Sequence, residues 1–131
     1  MHCLIVEDDL EVSGEQTVLL EEMGHDVTVA ASISEARQIL RARKFALVLM
    51  EYMLPDGTSE LLSDHVSASC PNARIIMMTG KPIFLYGEHA TLTPCVDWLM
   101  RKPFPLGDLK ALVDYAVIDA NQCPTHQYAT I

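Results

Sequence analysis

The chain has 131 residues, 18 of them acidic and 9 basic, for a net charge of −9. That length suits a single domain, by the rule of roughly 150 residues per domain, and the 50% hydrophobic content is enough to build a core. The negative balance argues against nucleic acid or an acidic membrane leaflet as partner, because both repel such a surface.

Residues 3–6, CLIV, form a continuous apolar run of the kind buried on both faces of a sheet. A helical pattern follows over 9–23, with Val12, Leu19, Leu20 and Met23 on one face, Glu11, Glu15, Glu21 and Glu22 on the other, and Gly24 as its stop. Residues 26–30 alternate as an edge strand does. Ser32 and Glu35 make a capping box, opening a helix with Ile33, Ala36, Ile39 and Leu40 inward. Residues 45–50 read as a second fully buried strand, and 58–69 as a third helix closed by Cys70 and Pro71.

Buried strands are again expected at 74–79 and 95–100. Between them, residues 80–94 carry Gly80, Pro82, Gly87 and Pro94, which points to a short or distorted fourth helix. A last helix over 106–118 turns Leu109, Leu112, Val113 and Val117 inward, and 120–131 reads as a loose tail.

No apolar stretch approaches the roughly 20 residues that span a bilayer, and MHCLIVEDD lacks the basic start and apolar length of a signal peptide. A cytoplasmic location is therefore expected. Cys3, Cys70, Cys95 and Cys123 are widely spaced, and His2, His25, His65, His89 and His126 show no ligand spacing. Neither set suggests zinc, and the thiols read as small hydrophobes.

Strict strand–helix alternation implies right-handed crossovers and a parallel sheet covered on both faces. In such sheets function collects at the carboxyl ends of the strands. There the chain places Glu7, Asp8 and Asp9 after the first strand, Glu51 after the third, Thr79 after the fourth, and Lys102 just past the fifth. Clustered carboxylates repel unless a cation or a lysine offsets them, which favours a hard divalent ion such as Mg²⁺. A lysine and a hydroxyl opposite that ion suit a phosphoryl group. Asp9 is better read as an ordinary helix-start acid, favoured by the helix dipole and by N-capping.

Four segments, LIVEDD, LVLMEYMLPDG, MMTG and RKPF, stand in order at the ends of these strands. Together they make residues 2–118 similar to the receiver domain of bacterial response regulators, the chemotaxis-regulator-like family. The resemblance implies a flavodoxin-like, doubly wound (βα)5 fold with a five-stranded parallel sheet in the order 2-1-3-4-5. It implies a receiver domain over 1–119 with a tail at 120–131. It also implies that Asp8 holds Mg²⁺ directly, that Glu7 does so directly or through water, and that the Met53 backbone carbonyl is a further ligand. The position of Glu51 corresponds to the phosphoacceptor and also joins the metal set. Thr79 matches the switch hydroxyl, and Lys102 matches the lysine that pairs with the phosphoryl group, with a cis bond to Pro103.

Several positions depart from the family pattern. The phosphoacceptor aspartate is replaced by Glu51, one methylene longer, in Glu51-Tyr-Met-Leu-Pro55. That carboxylate is pushed into the space an incoming phosphoryl group needs, and a misplacement of about 1 Å can cost on the order of a hundredfold in rate. The same methylene brings it towards Lys102 and Thr79, as a partial imitation of phosphoaspartate. Leu99 stands at the aromatic switch position with Trp98 beside it, and since the interval from Thr79 to Lys102 is one residue longer than the family's, a bulge is one way to bring Trp98 into that role. Ser59 replaces a glycine.

The expected function is thus a non-enzymatic receiver of a two-component phosphorelay, a pseudo-receiver signalling by protein contact. The rival is a working Mg²⁺-dependent phosphoacceptor at Glu51, or less readily at Asp56, charged by a sensor histidine kinase. Flavin binding on the same topology is disfavoured, because EDD after the first strand repels phosphate. Expected partners are a sensor histidine kinase, an output domain or another receiver. A homodimer through the fourth helix, fifth strand and fifth helix is a further option. Tyr52, Phe84, Tyr86 and Trp98 are read either as an exposed contact surface or as packing under the fourth helix.

Overall fold

The structure is a computed structural model that describes residues 1–80, 93–122 and 129–130. The strands are β1 (His2–Val6), β2 (Asp26–Ala30), β3 (Leu47–Glu51), β4 (Met53–Leu54), β5 (Gly57–Thr58), β6 (Arg74–Thr79), β7 (Trp98–Arg101) and β8 (Ala129–Thr130). The described helices are α1 (Leu10–Glu22), α2 (Ile33–Ala42), α3 (Glu60–Ser69) and α4 (Leu106–Gln122). The expected distorted fourth helix, with Phe84 and Tyr86, lies outside the described residues.

The main sheet runs β2-β1-β3-β6-β7-β8, every pair parallel. Its first five strands are the expected 2-1-3-4-5 order of a flavodoxin-like fold. The expected tail contributes β8, whose Ala129 and Thr130 pair with Trp98 and Leu99. The last helix runs four residues further than its apolar periodicity indicated, to Gln122.

Alternation along the strands sorts their side chains into two cores. Leu4, Val6, Val48, Met50, Ile75, Met77 and Leu99 face α2 and α3, meeting Ala36, Leu40, Leu62 and Val66. Cys3, Ile5, Leu47, Leu49, Ile76, Met78 and Trp98 face α1 and α4, meeting Leu20, Leu109, Leu112 and Val113. Because both faces are covered, the strands need near-continuous apolar sequence, which is what marked them in the chain.

Local signals close the elements. The Asp9 carboxylate accepts from the N–H groups of Glu11 and Val12 to cap α1, and Ser32 Oγ accepts from Glu35 N–H to cap α2. Gly24, just past α1, adopts φ +90°, a conformation that a side chain would strain. At the far end of the sheet, buried Arg74 and Asp97 form an ion pair at 3.5 Å. Asp97 Oδ2 also accepts from Ile75 N–H at 2.8 Å, tying the start of β6 to that of β7.

Candidate functional site

The strand order reverses at β1, with β2 on one side and β3 on the other, so the carboxyl ends of β1 and β3 adjoin. Glu7 follows β1 directly and Glu51 is the last residue of β3. Both are buried, at the ends of strands that lie inside the sheet. Lys102 reaches the same point from beyond β7. Its backbone N–H donates to the Thr79 carbonyl at 2.8 Å, extending the β6–β7 ladder by one residue, and its bond to Pro103 is cis.

The ammonium of Lys102 donates to Glu7 Oε1 at 2.7 Å and to Glu51 Oε1 at 2.8 Å. The second oxygen of each carboxylate is also engaged. Glu7 Oε2 accepts from Asp9 N–H, and Glu51 Oε2 from Met53 N–H, each at 3.2 Å. Burial by itself pulls the Lys102 pKa down, but the hydrogen bonds to Glu51 and Glu7, with their charges, outweigh it and hold the pKa above the ordinary lysine value. The result is one cation clasped by two carboxylates at the centre of the rim.

The loop after β3 is built to hold Glu51 in place. Ser59, fully buried, donates from Oγ to the Glu51 carbonyl at 2.9 Å and from its N–H to the Tyr52 carbonyl at 3.0 Å. Tyr52 donates its hydroxyl to the Glu60 carboxylate. Met53–Leu54 and Gly57–Thr58 pair as a short antiparallel hairpin, and Gly57 takes φ +135° where it closes.

The expected site residues do not all converge. Glu7, Glu51 and Lys102 meet, and Thr79 is buried beside them at the end of β6 with its carbonyl bonded to Lys102. Asp8 is exposed, and Asp9 spends its carboxylate on the cap of α1. Met53 is exposed, and its N–H is directed at Glu51.

Among the described residues, no three histidine, cysteine, aspartate or glutamate side chains are grouped so as to hold a metal ion. The donor chemistry of Glu7, Asp8 and Glu51 suits Mg²⁺. The arrangement does not, since the Lys102 ammonium already bridges the two buried carboxylates and Asp8 does not join them. The contact the sequence reading missed is Glu7 to Lys102. Its signal was the choice of glutamate at both 7 and 51, where the longer side chain extends the reach of each carboxylate.

Asp56 is not placed for phosphoryl chemistry. Its two oxygens accept from the N–H groups of Ile33 and Ser34, each at 3.0 Å, so it caps α2 from across the loop. Those two bonds, Ile33 first, hold its pKa below the usual aspartate value. The bulge invoked to reposition Trp98 is absent: β6 and β7 pair without interruption from Ile76–Trp98 to Thr79–Arg101. Alternation then directs Trp98 into the α1/α4 core, in edge-to-face contact with Tyr115 at 5.9 Å, while Leu99 shares the face of Met77. Tyr52 packs on the other core, so both aromatics serve packing rather than an exposed surface.

A hollow of about 550 Å³ opens at the amino ends of the strands, lined by Phe45, Ala46, Cys70 and Ala73 among others. Its walls are mostly apolar and bring no carboxylates together. The acidic rim remains the functional candidate.

A five-stranded parallel sheet with an acidic pair and a lysine at its switch point is the architecture of a phosphorelay receiver, and the comparisons agree. Residues 3–114 match the family model described as "Response regulator receiver domain", and the chain belongs to that family. It is 30% identical over 114 residues to the response regulator protein PilR of Pseudomonas aeruginosa, covering 87% of this chain and 25% of PilR. It is 30% identical over 117 residues to the phyllosphere-induced regulator PhyR of Methylorubrum extorquens, covering 87% of this chain and 42% of PhyR. The chain thus spans less than half the length of either relative. A CheY-like response regulator receiver domain protein from Methanospirillum hungatei superposes with a TM-score of 0.82 at 24% identity, over 92% of this chain and 96% of that one.

Proposed function

We propose that this receiver domain is atypical and signals through protein contact, with Glu51 at the phosphoacceptor position holding one conformation instead of accepting a phosphoryl group. One observation carries the reading. Both oxygens of Glu51 are engaged, one by the Lys102 ammonium and one by the Met53 N–H, which holds the carboxylate turned onto the lysine. Ser59 pins the Glu51 backbone from behind. The pair takes the place of the lysine–phosphoryl contact implied by the resemblance, with one negative charge where a phosphoryl group brings about −1.5 to −2.

Its partner is another protein: a sensor histidine kinase, an output domain or a second receiver. An apolar surface lies next to the rim. Val12, Phe104 and Leu106 line a hollow of about 250 Å³ together with Lys102, and Leu10 nearby is exposed. Such patches beside a polar centre are the usual form of a protein contact. Among the described residues no helix is long and apolar enough to cross a membrane.

Intact-mass spectrometry after incubation with Mg²⁺ and a small phosphodonor tests this reading. Wild type, Glu51→Asp and Glu51→Ala are compared. The expected result is a phosphoryl adduct on Glu51→Asp alone, since the shorter side chain vacates the phosphoryl position. An adduct on wild type that Glu51→Ala lacks overturns the proposal and makes Glu51 a working acceptor.

A further inference from the structure

We infer that Lys102 is the built-in cation of the acidic rim and that, while it is in place, the rim takes no Mg²⁺. The inference rests on the same Glu51–Lys102 pair as the proposed function, but it concerns what the pocket binds rather than whether it is phosphorylated.

Every donor is accounted for. The two buried carboxylates have four oxygens. Two lie 2.7 and 2.8 Å from the same ammonium, and two lie 3.2 Å from backbone N–H groups. The side chains of Glu7 and Glu51 are 3% and 11% exposed, so water does little to loosen their hold. Lys102 is 23% exposed and reaches the rim from solvent, closing it from outside. The third acid, Asp8, points to solvent and is in no group able to hold a metal.

A Mg²⁺ ion demands near-octahedral oxygens at about 2.0–2.1 Å and gives up its waters reluctantly. To bind both carboxylates, it must displace the ammonium that bridges them. It would then leave a charged lysine beside a divalent ion in a half-buried pocket. Each of those changes opposes binding. The β6–β7 ladder anchors the lysine backbone, while Ser59 anchors that of Glu51.

The exclusion therefore resides in the lysine charge. Removing that charge leaves two buried carboxylates facing each other, a pair whose repulsion only a cation can offset.

The test is a calorimetric titration of the full chain with Mg²⁺, repeated with Mn²⁺, and without any phosphodonor. Wild type and Lys102→Met are compared, and each melting temperature is followed against metal concentration. Wild type is expected to show no saturable heat up to 10-fold above about 1 mM, and no metal-dependent shift. Lys102→Met is expected to bind both ions and to melt higher as metal is added, as a ligand specific for the native state requires. Should Lys102→Met not fold, Lys102→Gln takes its place, removing the charge while keeping a polar end.

Saturable Mg²⁺ binding by wild type overturns the inference. So does failure of the folded Lys102 variant to bind, which would show that something other than the lysine closes the rim. The two readings are told apart by their readouts: Mg²⁺ binding by wild type without a phosphoryl adduct overturns this inference alone, whereas an adduct on wild type overturns the proposed function.

Discussion

Glu51 Oε1 and Lys102 Nζ meet at 2.8 Å although 51 residues separate them. They meet because β6 lies between β3 and β7, with each strand in parallel register, so the residues at their carboxyl ends share one rim. Glu7 completes the contact from β1, across the switch point. The pair is thus a property of the sheet order rather than of any local segment.

Breaking that contact should be expensive. Removing one partner of a buried pair leaves an uncompensated charge and costs about 3–5 kcal/mol when burial is complete. Lys102 keeps 23% of its side chain exposed, so Lys102→Met is expected to lose less, about 2 kcal/mol. A double-mutant cycle with Glu51→Gln, read by urea unfolding, should show a coupling of about 1–2 kcal/mol. Additive losses would mean that the pair contributes nothing.

Asp56 gives a pH-dependent prediction. Its pKa is depressed by the Ile33 and Ser34 N–H groups, so its contribution is present above the unfolded aspartate value of about 3.9 and is lost as pH falls through the lower folded value. Asp56→Ala should melt below wild type at pH 7, with the gap shrinking below about pH 4 and closing once pH has fallen past the depressed folded value. A gap that persists at pH 2 would assign the loss to something other than the ionised cap. The same variant should leave the mass-spectrometric outcome for Glu51→Asp unchanged, because the Asp56 carboxylate is bonded to the start of α2 rather than to the rim.

Arg74 and Asp97 are 1% and 2% exposed, and Asp97 also accepts the Ile75 N–H. Asp97→Ala strips both contacts at once and should cost about 3–5 kcal/mol in urea unfolding. Replacing both partners with apolar residues of similar size should recover much of that loss, since no buried charge is left behind. No recovery would show that the Ile75 bond carried the effect.

Ser59 is fully buried and its hydroxyl holds the Glu51 carbonyl. Ser59→Ala keeps the volume of the backbone and Cβ but leaves that carbonyl without its donor, a loss of about 1–2 kcal/mol. If Ser59 also positions Glu51, the variant should weaken the Glu51–Lys102 coupling in the cycle described above. An unchanged coupling would confine Ser59 to a structural role.

The buried strands were legible because both faces of a parallel sheet are covered. This forces the apolar runs CLIV, LVLM and IIMM, which no amphipathic helix would require. Asp9, Ser32 and Gly24 announced their caps and stop through chemistry that acts within three residues. The rim residues could be named as well, since each directly follows a strand that could be read. What the chain could not show was which oxygen meets which proton. That Lys102 clasps Glu7 as well as Glu51, that Asp56 turns away to α2, and that Trp98 faces the α1/α4 core all depend on register between strands. A shift of one residue reverses every side chain of a strand. Sequence alone therefore determined the five central strands and brought Glu7, Glu51, Thr79 and Lys102 to one rim. Only the tertiary structure decided the pairing, because hydrogen bonds of about 3 Å are set by long-range register and not by spacing along the chain.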